Sequence, residues 1–288
     1  MTDATETRLQ ALDSVLDDAE ARSTADSGLI GRVVGAVRGA PSEGDLESLP
    51  GDLFAVVDAL ESSVALRRAV TDPSTAEAGR QRLVHNLLDG KMSKTAVQIV
   101  ADGAAMRWAG GRTFAAAIER QAVRATLIRA DQDGSLGETE DELFRFARVV
   151  EGSPSLRNAL SDRAVPLAQR QELVAELLAG RATEATLSLA KRAVGARERT
   201  FAHTIEGFVT LAAAQRSRVV ATVRVAQPLD AGQRDRLRAA LSQQVGREVA
   251  IQEIVEPDVL GGIRVELGDE VIEGTVAGRL QQARRLFG

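Results

Sequence analysis

The sequence predicts an α+β chain that is mostly α: two tandem helical bundles followed by a small β-α-β-β-α domain. Three observations carry that prediction. Apolar residues recur at helical spacing from the start of the chain to about residue 215. A block in the middle of the chain reappears 90 residues downstream. At Arg218 the apolar period changes from about 3.6 to 2, the spacing of a half-buried strand.

Residues 3–21 read as a helix with Leu9, Leu12, Val15 and Leu16 on one stripe. A short apolar piece follows, Leu29 to Val37. Gly39 to Gly51, with two prolines among Gly, Ser and acidic residues, reads as a loop. From Asp52 the helices become dense: Leu53, Val56, Val57 and Leu60, then Leu66 and Val70, with Asp72-Pro73 as a stop. Ser74 and Glu77 form a capping-box pattern, Leu83, Val84, Leu87 and Leu88 give the next stripe, and Gly90 ends it. Ser93 caps a helix carrying Val97, Ile99 and Val100. After Gly110-Gly111 a long helix runs to about Ala130.

The pattern then repeats. Leu66, Arg67, Ala69, Asp72, Arg80, Gln81, Leu83, Val84, Leu87, Leu88 and Gly90 each find the same residue 90 positions on, and Ser93 meets Thr183. After a slip of three, Arg112-Thr113-Phe114-Ala115 with Ile118-Glu119 meets Arg199-Thr200-Phe201-Ala202 with Ile205-Glu206. Shared helix composition would not keep caps and stops in order, so this is a duplicated bundle. Leu83/Leu87 and Leu173/Leu177 are expected in equivalent buried sites. The second copy opens on a Thr139/Glu142 capping box, and Pro166 sits where a first-turn proline is tolerated. A last helix runs from about Glu198 to Gln215. Val219, Ala221, Val223 and Val225 then alternate as a strand. Asp230 and Gln233 cap a helix ending near Gly246, and strand Val249–Val255 follows. The domains expected are 1–51 (N-terminal helix and loop), 52–130 and 131–217 (the two bundle units) and 218–288 (the α+β domain).

Composition narrows the function classes. The chain has 288 residues, 27% charged and 44% hydrophobic, as in globular proteins. Aromatics are 3%, with no Tyr and Trp108 alone, so the core is built from Ala, Leu and Val. Without Cys there are neither disulfides nor thiolate metal sites. No apolar run approaches the roughly 18 residues of a membrane span, and the acidic N-terminus lacks a signal peptide's basic start. The net charge of −5 is uneven: residues 1–60 hold twelve acids against four arginines. No block is basic enough for a nucleic-acid footprint.

The search for chemistry returns little. Asp131, Asp133, Ser135, Thr139 and Glu142 fall at the first, third, fifth, ninth and twelfth places of a calcium loop. The sixth place, which needs Gly, is Leu136, and the eighth, usually apolar, is Glu138, so no calcium dependence is expected. His85 and His203 sit in predicted helices without zinc-site spacing. No nucleophile elbow or phosphate loop is present. Neither a cofactor nor an active site is implied, and the layout reads as a protein that binds other chains.

The most informative stretch is the last. Ile263, Val265 and Leu267 alternate with Arg264 and Glu266 as a strand, Gly268-Asp269 is a turn, and Val271-Ile272 starts the return strand. Gly274-Thr275 then opens a helix carrying Val276, Leu280, Ala283 and Phe287. The string Gly261, Gly262, Arg264, Gly268, Asp269, Ile272, Gly274, Gly278, Arg279 resembles the C-terminal signature of the δ subunit of bacterial F-type ATP synthases, the family of the mitochondrial oligomycin-sensitivity-conferring protein. The layout, with its additional bundle, is similar to the enlarged δ subunits of actinobacteria. The resemblance implies a non-catalytic component of the peripheral stalk, or stator. Its helical part would grip N-terminal helices of the α subunits of the catalytic head. Its C-terminal domain would hold the b-type stalk subunit. The chain would serve ATP synthesis and hydrogen ion transport at the cytoplasmic face of the cell membrane, meeting the membrane only through the complex. It leaves open which bundle takes the α subunits. An unrelated helical adaptor is the alternative reading.

Overall fold

The computed structural model describes residues 3–25, 43–196, 200–217, 219–246, 249–256, 263–267 and 270–273. The chain divides into two compact units, Met1–Gln121 with Ser217–Gly288, and Ala122–Arg216. The apolar piece Leu29–Val37 and the closing helix around Val276–Phe287 lie outside the described residues. Mostly helical, with one small four-stranded sheet, the chain has the α+β class read from its sequence.

In the first unit α1 (Asp3–Ala25) is followed by α2 (Glu43–Ser62), α3 (Val64–Thr71), α4 (Glu77–Leu88), α5 (Lys94–Ala105) and the start of α6 (Gly111–Gln132). Leu12 and Leu16 of α1, Leu53, Val57 and Leu60 of α2, Ile99 of α5, and Phe114 and Ile118 of α6 are buried. Two expectations fail here. The stretch expected as a loop to Gly51 is helical from Glu43, with Pro50 inside the helix. Leu49 and Leu53 on either side are buried, and that burial outweighs the roughly 3 kcal/mol a mid-helix proline costs. The expected Ser74/Glu77 box does not form. Ala76 stands at the N-cap of α4 without a side-chain bond, and the Ser74 amide and hydroxyl both donate to Asp72 Oδ1. Those two bonds hold the Asp72 carboxyl below its ordinary pKa, the hydroxyl contributing most.

The second unit holds the end of α6, then α7 (Leu136–Gly152), α8 (Pro154–Ser161), α9 (Leu167–Leu178), α10 (Glu184–Val194) and α11 (Phe201–Arg216). Its core includes Leu143, Val150, Val174, Leu189, Phe201 and Ile205. Helix starts recur at a spacing of 90: Val64 and Pro154, Glu77 and Leu167, Lys94 and Glu184. Ser63 and Ser153 cap α3 and α8, accepting from Leu66 and Leu156, and Ser93 and Thr183 cap α5 and α10. Gly90 and Gly180 both take positive φ, 73° and 65°, which lets each helix hairpin turn without Cβ strain. The two leucine pairs are equivalently placed but not buried. Leu83 and Leu173 are half-buried, Leu87 and Leu177 exposed, and Val84 and Val174 are the inward residues. Thr139 is not a cap either. It is buried inside α7, which starts one turn earlier, after Ser135.

The sheet belongs to the first unit. β1 (Val219–Val225) lies between parallel β2 (Val249–Val255) and antiparallel β3 (Ile263–Leu267), which pairs in turn with β4 (Glu270–Glu273), giving the order β2-β1-β3-β4. Between β1 and β2, α12 (Ala231–Val245) starts on the Asp230/Gln233 capping box and ends at Gly246 with φ 69°. Ala221, Val223, Val225, Val249, Ile251 and Val265 form one apolar face with Leu241 of α12.

Candidate interaction surfaces

Each helical unit is fastened by two polar devices that recur at the same spacing of 90. The Asp52 carboxylate accepts from the Ser93 amide at 2.8 Å, and Glu142 accepts from the Thr183 amide at 2.8 Å and its hydroxyl at 3.1 Å. Each carboxylate therefore sits at the N-terminus of a neighbouring helix, where unpaired amides and the helix dipole favour negative charge. Arg80, buried, donates to the carbonyls of Ala104 (2.6 Å), Ala105 (2.6 Å) and Asp72 (3.3 Å). Arg170 donates to those of Val165 (3.2 Å), Leu160 (3.1 Å) and Val194 (3.2 Å). A guanidinium suits this place, since its five donors can satisfy several helix-end carbonyls at once.

The residues of the calcium-like run have other partners. Asp131 accepts from Gln215 at 3.3 Å, Asp133 faces Arg129 at 3.9 Å, Ser135 donates to the Ala130 carbonyl at 3.2 Å, and Glu142 caps α10. His85 faces Asp89, the C-cap of its helix, at 3.1 Å, and His203 faces Glu206 on its own helix at 3.5 Å. Among the described residues no three His, Asp or Glu side chains gather as a metal site.

Outward-facing surface differs between the units. On the second, Phe144 and Val149 of α7 are 55% and 58% exposed, and Leu167 and Leu177 of α9 are 42% and 39% exposed. Arg148 lies 5.9 Å from the centre of the Phe144 ring. The corresponding positions of the first unit hold half-buried Phe54, then Ala59, Glu77 and exposed Leu87, and Val64 of α3 is exposed as well.

The sheet has one polar face, turned away from α12. Arg224 and Arg264 stand directly opposite each other on β1 and β3, and Glu266 lies 3.4 Å from the first and 3.2 Å from the second. Like charges facing across a ladder repel, and the shared carboxylate offsets that. Glu256 pairs with Arg224 as well. Of the signature string, Arg264 is thus on the polar face, and Ile272 stands opposite buried Val265 in the β3–β4 register. Gly261, Gly262, Gly268, Asp269, Gly274, Gly278 and Arg279 lie outside the described residues. Sequence reasoning missed Arg224, Glu256 and Glu266. Their strands were legible, but the register that joins them was not.

Fold and surfaces together define a class: a mostly helical chain of two compact units with helix starts and caps recurring at a spacing of 90, one of them carrying a small sheet, whose candidate functional features among the described residues are exposed faces. Comparison with known proteins specifies it. Residues 118–287 match the family model described as ATP synthase delta (OSCP) subunit. The chain is 46% identical over 235 residues to the ATP synthase subunit delta of Kineococcus radiotolerans, covering 81% of this chain and 85% of that one. It is 42% identical over 286 residues to the protein of the same name from Parafrankia sp., covering 99% of both. With the counterpart from Salinispora tropica it shares 43% over 249 residues, 86% of this chain and 90% of that one. The chain belongs to the ATP synthase delta (OSCP) family. The Parafrankia match also covers the residues ahead of the family-model span, so that part of the chain is shared with that relative.

Proposed function

We propose that this chain is a non-catalytic peripheral-stalk subunit of an F-type ATP synthase. In this reading it links the catalytic head to the membrane proton channel through a b-type stalk, at the cytoplasmic face of the cell membrane. The helical units of residues 52–130 and 131–217 face the head, and the domain of residues 218–288, which carries the Gly261–Arg279 signature, holds the stalk. The chain takes no part in hydrolysis and touches the membrane only through the complex.

The observation that carries the head-facing half is the exposure of Phe144, Val149, Leu167 and Leu177 on the second unit. An amphipathic helix, such as an α-subunit N-terminus, replaces water on such side chains with its own apolar stripe. This favours the second unit over the first as the place where the head is gripped, and that unit lies within the span the family model matches. For the stalk-facing half, the charged face of Arg224, Arg264 and Glu266 offers ionic and hydrogen-bonding partners to a polar helix surface. Reconstitution tests the reading. Full-length chain restores head attachment and proton pumping, whereas a chain ending at Ser217 binds the head but leaves proton flow uncoupled from synthesis. Hydrolysis by the head continues in both cases. Normal pumping with the shortened chain removes the stalk assignment.

A further inference from the structure

We propose that α1 is a clasp fastening the sheet domain to the first helical unit, with an apolar side that stays fixed and an ionic side that opens. It lies in a part of the chain that the family model does not cover. Toward the bundle, Leu12, Leu16 and Ala19 are buried. Leu12 joins two α6 side chains against Gly103 of α5: a Cβ there would stand 2.9 Å from Phe114, 3.4 Å from Ile118 and 3.6 Å from Leu12. Asp13 adds bonds to Arg120 and, at 2.7 Å, to Gln121 of α6.

Toward the sheet the chemistry changes. Ser14 and Asp18 are one helical turn apart and share a side of α1. Asp18 holds Arg234 at 3.0 Å and Arg238 at 3.4 Å, and Ser14 accepts from Arg238 at 2.6 Å, both arginines lying on α12. Arg234 turns its other nitrogen to Glu253 of β2 at 3.0 Å. Burial alone would lower the Arg234 pKa, but the Glu253 bond and the two carboxylate charges outweigh it and hold the guanidinium charged. β2 is an edge strand of the sheet, and α1 packs beside it. An uncovered edge of this kind presents unpaired backbone groups to any passing strand. At about 100° per residue, Asp13 and the Ser14/Asp18 pair lie on different sides of α1, so the helix is gripped from both.

The two grips respond differently to solvent. Leu12, Leu16 and Ala19 are insensitive to salt, whereas the partly exposed Asp18–Arg234–Arg238 group is screened by it. Opening therefore leaves α1 on the bundle and frees the sheet domain. The clasp gives the additional helical unit a mechanical role, joining that unit to the domain at the other end of the sequence.

The full-length chain has no Cys, so spin labels at Glu77→Cys on α4 and Ala239→Cys on α12 report one distance. The clasp predicts a narrow distribution at low salt that broadens in about 1 M salt, where the Debye length is about 3 Å. Asp18→Arg should broaden it at every salt concentration with helix content by circular dichroism unchanged. Combining Asp18→Arg with Arg238→Asp should narrow it again, with Arg234 left on Glu253. A distribution unmoved by Asp18→Arg overturns the proposal. So does a broadening that the charge swap fails to reverse, or a loss of helix content in Asp18→Arg, since either marks general unfolding rather than an opened clasp.

Discussion

The two helical units keep the same polar fasteners and differ in what they do with aromatic side chains. Phe114 in the first unit and Phe201 in the second follow the same Arg-Thr sequence and are both buried. Phe114 packs against Trp108, ring centres 5.9 Å apart, and the Trp108 indole donates to the Gly103 carbonyl at 2.8 Å. Phe201 instead meets Phe146 edge-on at 5.6 Å, where the first unit has Val56. Each core thus places a second ring beside the shared one, but from a different part of the chain. The outer faces diverge further. Where the first unit shows Ala59 and Glu77, the second shows Val149 and Leu167. The skeleton of caps and carbonyl-gathering arginines is common to both units, but among the described residues the second exposes large apolar side chains on both α7 and α9, whereas the first exposes Val64 on α3 and Leu87 on α4. That contrast is what supports the proposal that the head binds there.

Substitutions in the cores test the equivalence most strongly. Leu53→Ala and Leu143→Ala, both at fully buried positions of matching helices, should each cost about 2–5 kcal/mol in chemical denaturation. A large effect in one and none in the other would break the correspondence. Next come the arginines. Arg80→Met should cost about 2–3 kcal/mol and Arg170→Met less, because Arg80 is the more deeply buried of the two. Equal losses would mean that burial does not separate them. The cap carboxylates follow. Asp52→Ala and Glu142→Ala should each cost about 1 kcal/mol, since the Ser93 and Thr183 hydroxyls still cap α5 and α10. Leu87→Ala and Leu177→Ala should cost no more than about 1 kcal/mol, since both side chains are already partly in water.

The smallest effects concern ions. Asp72 has a depressed pKa in the folded chain, so its contribution is complete above the unfolded value and is lost as pH falls through the lower folded one. Stability of Asp72→Asn should therefore lose less than the parent does on acidification below about pH 4. A parallel loss would remove the Ser74 bonds from the account. Calcium should change nothing. Calorimetry showing micromolar binding that Asp131→Ala abolishes would overturn that expectation.

How much of this was legible in the sequence depends on the distance over which each feature acts. Local signals read well: Ser93, Thr183, Asp230, Gly90 and Gly246 occupy the cap and stop positions their types favour. The strand alternation also gave the right inward faces at Ala221, Val223, Val225, Ile263 and Val265. Local signals also misled where burial overrode them. Thr139 with Glu142 has the form of a capping box, yet the threonine hydroxyl meets Thr183 at 3.0 Å across the bundle, and the glutamate caps another helix. Pro50-Gly51 has the form of a loop inside a buried helix. The repeat identities included Arg80 without disclosing that it gathers carbonyls 24 and 25 residues away. Asp52 and Glu142 differ in type, so identity did not pair them. Only contacts 41 residues apart in sequence reveal the shared role.

The contrast between the two outer faces is the central claim, and one binding measurement addresses it directly. A fluorescent peptide carrying an α-subunit N-terminal helix is titrated with the full-length chain, with Phe144→Asp/Val149→Asp, and with Val64→Asp/Leu87→Asp. All of these positions are exposed, so the fold should tolerate the changes. The second-unit pair should weaken binding by at least tenfold, about 1.4 kcal/mol, while the first-unit pair leaves it within about twofold. Full affinity in the second-unit variant, or loss confined to the first-unit variant, would contradict the account.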